Sequence, residues 1–156
     1  MTYLVIDTDG ALHIRDQTPT LDAINAEVGD GGKDQVRLRL AGARGFVNDV
    51  GFRAGLPRNV VGSLLLMCCG ASQQPYAGPV VITGWDDYGR DTEIVPLPAD
   101  VLGPLRALHA DLRAILAGDT PCGQCSPEWI AQVRKAAAFV VDALTPTITI
   151  HRGLPT

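Results

Sequence analysis

Between Phe46 and Asn59 the chain reads Phe-Val-Asn-Asp-Val-Gly-Phe-Arg-Ala-Gly-Leu-Pro-Arg-Asn, with apolar runs on both sides. This stretch limits the available folds, because its residue types force a strand to end, bend and give way to a helix. Asn48 and Asp49 bond their own backbone and Gly51 tolerates positive φ, so a tight turn forms there at low cost. Pro57 fixes its own φ and drives Leu56 toward extended geometry. Asn59 is then positioned to cap the apolar segment Val60 to Cys69. Gly62 and Ser63 weaken that helix and Gly70 ends it, while the β-branched Val60 and Val61 and the two cysteines keep a buried strand as the alternative.

The segments around it have clear periods. Thr2 to Ile6, the turn Asp7-Thr8-Asp9-Gly10 and the alternating Leu12-His13-Ile14-Arg15 predict a hairpin with His13 facing solvent. Leu21, Ile24 and Val28 form a short helix face, capped by Thr18 or Thr20 and stopped at Gly29. Gln35 to Leu40 alternates strictly, so Val36, Leu38 and Leu40 face inward and Arg37 and Arg39 outward. Ala41 to Arg44 turns the chain, and Gly45 to Asn48 returns it as the partner strand. Pro79 to Gly84 is continuously apolar, as a strand covered on both faces should be.

Two helices are expected next. Val101, Leu102, Leu105, Leu108, Leu112, Ile115 and Leu116 form one stripe, with Pro104 in the first turn and Gly118 as the stop. Ser126 caps the second, with Pro127 at its first position and Trp129, Ile130, Val133, Ala137, Val140, Val141 and Leu144 on its buried side. A short link makes the two helices antiparallel, and Thr147 to His151 reads as a final strand. The expected architecture is α+β: a mainly antiparallel sheet covered by a C-terminal pair of antiparallel helices, in one domain spanning 1–156, with the helical pair at 98–145 and the last strand at 147–151.

Composition narrows the function. A length of 156 residues with 46% hydrophobic and 19% charged residues describes an ordinary globular domain. A formal net charge of −4 argues against phosphate-driven nucleic-acid binding by the whole surface, leaving a local patch of Arg37, Arg39, Arg44, Arg53 and Arg58 as the alternative. No run approaches the roughly 18 apolar residues of a membrane span, so a cytoplasmic location away from membranes is expected. Four cysteines in a reducing compartment are then thiols or metal ligands rather than disulfides.

Chemistry-bearing positions are few. Cys122-Gly-Gln-Cys125 has the spacing of a metal chelate or a redox pair, and Cys68, Cys69, His109 and His151 are the residues that could complete a structural zinc site. A redox role suits the context poorly, because a helix rather than a strand leads into the motif. Plain thiols are the simpler reading, with Cys68 and Cys69 in the core and no cofactor at all. Gly29-Asp30-Gly31-Gly32 lacks the lysine and hydroxyl of a phosphate loop. Asp7 and Asp9 are accounted for by their turn, and Trp85-Asp86-Asp87-Tyr88-Gly89-Arg90 by a solvated loop that could also grip a partner.

The succession of a glycine-rich step, a strand, Asn48-Asp49-x-Gly51, Gly55-Leu56-Pro57-x-Asn59 and Gly78-Pro79-Val80-Val81-x-x-Gly84 resembles the small bacterial, phage and plasmid proteins grouped as the domain of unknown function 3846 family, over roughly Thr20 to Pro96. That resemblance implies a compact α+β domain, commonly carried on mobile elements, with no assigned activity and no functional residue to transfer. The expectation is therefore a non-catalytic accessory or protein-interaction domain with an unidentified protein partner, and a homodimer if the last strand is exposed. The alternatives are a small zinc- or thiol-dependent protein and a nucleic-acid-associated factor.

Overall fold

The computed structural model describes residues 1–87, 93–119 and 125–143. Within them, β1 (Tyr3–Ile6), β2 (Leu12–Arg15), β3 (Lys33–Arg37), β4 (Ala43–Asn48), β5 (Val80–Asp86) and β6 (Glu93–Val95) form one sheet. Its order is β2-β1-β5-β4-β3, every pairing is antiparallel, and β6 joins the end of β5. Helices α1 (Leu21–Val28), α2 (Val60–Cys68), α3 (Ala99–Leu116) and α4 (Pro127–Asp142) complete the α+β architecture.

The sheet is covered on both faces because its central strands are apolar at odd and even positions alike. Leu4, Ile6, Val80 and Ile82 point to one face and meet Leu64, Leu65 and Leu66 of α2, with α3 and α4 beyond. Tyr3, Val5, Phe46, Val81 and Trp85 point to the other and meet Ile24 and Val28 of α1. As expected, the C-terminal pair α3 and α4 packs together over the sheet, although α2 lies between them and much of it. Each fully buried aliphatic side chain here contributes about 2 kcal/mol of transfer free energy.

Local signals set the helix ends. The Thr20 hydroxyl accepts from the Ala23 amide at 3.1 Å and Ser126 accepts from Trp129 at 3.1 Å. Gly70, at φ 92°, closes α2 while the Ala71 amide reaches back to the Leu66 carbonyl. The central stretch is tied down by two asparagines. Asn48 accepts from the Val50 amide at 2.9 Å and donates to the carbonyls of Val28 (3.0 Å) and Asp30 (2.8 Å), fastening the end of α1 to β4. Asn59, fully buried, accepts from the Gly62 amide at 2.8 Å and donates to the carbonyls of Ile6 (2.9 Å) and Gly78 (3.1 Å).

Several expectations are corrected. The segment after Asn59 is not among them: it forms the expected helix, buried almost all round between sheet and helices, which is why its pattern also allowed a strand. Strand β3 begins at Lys33 and stops at Arg37, so Leu38 and Leu40 reach the core from a turn and Arg39 is no strand residue. Gly51 does not take a positive φ; a Cβ there would come within 2.5 Å of the Ala77 carbonyl oxygen. Pro104 lies in the second turn of α3, where it removes the donor that would meet the Asp100 carbonyl. Val141 is 57% exposed and Leu116 38%, at the margins of their stripes. Leu144 and the strand expected at 147–151 lie outside the described residues.

Asn59→Ala should lower stability by about 3 kcal/mol, since it removes a cap and strands two buried carbonyls. Asn59→Asp should cost more despite keeping the cap, because a buried carboxylate would face those carbonyls. Urea unfolding checks both, and a loss below about 1 kcal/mol would contradict the assignment. Gly51→Ala should destabilise by about 2 kcal/mol or more, the Ala77 backbone being unable to retreat. Gly103→Ala, in a helix interior with open space around it, should stabilise by up to about 1 kcal/mol.

Candidate functional site

At the β1–β2 tip, Asp7 is consumed by structure. One carboxylate oxygen accepts from the amides of Asp9 and Ala11, both at 3.0 Å, and the other lies 2.8 Å from His13 Nε2. The hydrogen bond from His13, followed by those two amides, holds the Asp7 carboxyl below its ordinary value of 3.8 despite partial desolvation. His13 is thus a half-exposed partner of Asp7 rather than a free surface histidine. His109 of α3 lies 2.7 Å from the Gly10 carbonyl, so its Nε2 carries the proton and donates. Arg113 donates to the Asp9 carbonyl at 2.9 Å. The tip is a clamp between hairpin and α3.

Of the candidate zinc ligands, Cys122 and His151 lie outside the described residues. Cys68 and Cys69 sit at the end of α2, and Cys125 is half-buried just before α4. Cys68 is exposed rather than in the core as expected, yet nearby apolar surface still raises its thiol above the ordinary value. Burial, followed by repulsion from Cys68, pushes the Cys69 thiol up to about 11. Both therefore resist becoming thiolates. Among the described residues no three of His, Cys, Asp or Glu come together as a metal site.

The arginines separate by role. Arg58 donates to the carbonyls of Val140 (2.8 Å) and Val141 (2.7 Å), closing the end of α4, and stacks 5.7 Å from the Phe52 ring. Arg53 stays exposed. Arg37 and Arg44 are paired across β3 and β4, and Arg39 stands beside them on the following turn. Trp85, expected in a loop, is a buried residue of β5 whose Nε1 donates to Asp87 at 2.8 Å. Tyr88, Gly89 and Arg90 of that expected loop lie outside the described residues.

A surface concavity with a volume of about 520 Å³ lies between α2 and α4. Its floor is Leu64, Val133 and Ala136, and its walls are Met67, Trp129 and Phe139. Gln73, Gln132 and Lys135 stand at its rim. Phe139 is 46% exposed, although a side chain of that size normally finds cover. Sequence reasoning assigned Val133 and Trp129 to the buried side of α4 but missed the groove, because Phe139 falls off the apolar stripe and Met67 belongs to another helix. No helix among the described residues is long and apolar enough to cross a membrane.

Linkage fixes the pH dependence of the hairpin clamp. A carboxyl lowered in the folded state contributes stability that is present above its unfolded value and lost as pH falls through the folded one. The melting temperature of Asp7→Asn should therefore lie below that of the parent at pH 6, and the gap should close toward pH 2. A gap independent of pH would show that Asp7 acts through shape alone.

Comparison with protein-family models, with curated proteins and with solved structures found no match to this chain.

Proposed function

We propose that this chain is an accessory protein-interaction domain, working in the cytoplasm, that takes an apolar helical segment of a partner protein into the groove between α2 and α4. The observation that carries this reading is the exposed Phe139 beside Trp129 and Met67 over an aliphatic floor. Aromatic side chains and methionine supply large, adaptable contact area at binding surfaces. A groove formed by two helices, apolar below and polar at the rim, matches the mode in which a partner helix inserts anchors at i, i+3 or i+4 and i+7. A volume of about 520 Å³ suits a few such side chains rather than a whole helix. The polar residues with chemical potential at the hairpin tip are engaged in holding that tip, which fits a domain whose free surface serves recognition.

Selection from a displayed peptide library tests this directly. The parent protein should enrich amphipathic helical peptides with that apolar spacing. Phe139→Glu should weaken the selected peptides at least tenfold, or about 1.4 kcal/mol. Val141→Glu, on the same helix and also exposed, should leave binding unchanged. Absence of enrichment, or equal effects of the two substitutions, would overturn the reading.

A further inference from the structure

A second surface feature stands apart from the groove. Arg37 and Arg44 are direct neighbours across β3 and β4, so two cations lie side by side on one face of the sheet, an arrangement that opposes pairing. Arg44 is the more constrained. Its side chain is only 12% exposed, its guanidinium carbon lies 4.4 Å from the centroid of the Trp85 ring, and its Nε is buried without a hydrogen-bond partner among the described residues. Its ion-pair partner among the described residues is Asp87, at 3.8 Å from Nη2. That carboxylate is 71% exposed and is shared with the Trp85 indole, so it compensates the charge weakly.

The turn at 38–42 adds a third cation. The Arg39 amide donates to the Cys69 carbonyl at 2.7 Å, and the side-chain stem lies so close over Gly70 that a Cβ there would meet Arg39 Cγ at 2.6 Å. The base of Arg39 is thereby fixed while its head stays exposed. Arg37, Arg39 and Arg44 line a single cavity of about 400 Å³ together with Trp85 and Asp87. Arg37 and Arg39 have no ion pair among the described residues. Among the described residues, three guanidinium groups against one carboxylate leave a local charge of two positive, in a chain whose formal net charge is −4. Folding requires no such concentration.

We propose that this cavity binds a phosphoryl group. Arg37, Arg39 and the outer edge of Arg44 hold its oxygens, and Trp85 keeps the Arg44 plane in place. Arginine's planar fork matches phosphate oxygens two at a time, and the indole face retains the guanidinium without neutralising it. A phosphate dianion balances the local charge, and the remaining volume admits the group to which the phosphate is attached. The same oxyanion is presented by a small phosphorylated molecule and by a nucleic-acid backbone.

The test has two arms. The first titrates inorganic phosphate at constant ionic strength against chloride, following the Trp85 indole resonance, assigned with Trp129→Phe, and the melting temperature. The second titrates a single-stranded oligonucleotide at several salt concentrations. Arg37→Gln is the main variant because Arg37 is exposed, so the fold survives. Arg44→Lys retains the charge and loses the fork. Without phosphate, Arg37→Gln should melt at or above the parent, because the facing cations are relieved. With phosphate the parent should gain stability and the variant much less, its affinity falling at least tenfold. Saturable binding in the first arm assigns a small phosphorylated ligand. Binding in the second arm alone, with a salt slope reduced by about one in Arg37→Gln, assigns a backbone phosphate. Either result supports the site. Phosphate indistinguishable from chloride together with no oligonucleotide binding would overturn it, as would binding insensitive to both arginine substitutions.

Discussion

The seat of α2 on the sheet depends on the amide group of Asn59. Its oxygen caps the helix while its nitrogen satisfies carbonyls at the end of β1 and just before β5, so one side chain joins segments that are 53 and 19 residues away. The neighbouring Ser63 hydroxyl accepts from the Tyr76 amide at 2.9 Å, and the Tyr76 carbonyl accepts from the Asn59 amide at 2.9 Å. In a buried site each of these groups would be costly if left alone, and together they satisfy one another. Gly62 completes the arrangement by omission, since a Cβ there would fall 2.7 Å from the Asn59 side chain.

From that seat follow the surfaces. With its first turns laced to the sheet, α2 turns Leu64 and Met67 toward α4, and the groove that the two helices share stays partly uncovered. The end of α2 receives the turn after β3 through the Cys69 carbonyl, which sets Arg39 beside Arg37 and Arg44. The apolar groove and the arginine cavity thus lie at two places reached from the same helix, one suited to an apolar segment and the other to an oxyanion.

What could be read beforehand was local. Thr20, Asn59 and Ser126 cap their helices as the spacing of small polar residues before apolar runs implies, and each cap needs only the residue three positions on. The two carbonyl bonds of Asn59 could not be read, because their partners are fixed by tertiary packing. Gly51 was legible as a required glycine but for the wrong reason: the constraint comes from the Ala77 backbone rather than from its own φ. The strand around Val36 was recognised by its alternation, yet its end was not, since Leu38 and Leu40 continue the apolar pattern while the backbone turns away. At the candidate sites the individual residues carried the signal and their grouping did not. Arg44 and Trp85 are far apart in sequence and meet only because β4 and β5 pair.

Native-state hydrogen exchange provides the most direct measurement of whether Asn59 binds α2 and the sheet into one cooperative unit. The amides of Asn59, Gly62 and Tyr76 should exchange only through global unfolding, with the same opening free energy and denaturant dependence as the slowest amides of β1 and β5. Exchange of those three amides through a smaller opening, while β1 and β5 remain protected, would contradict the account.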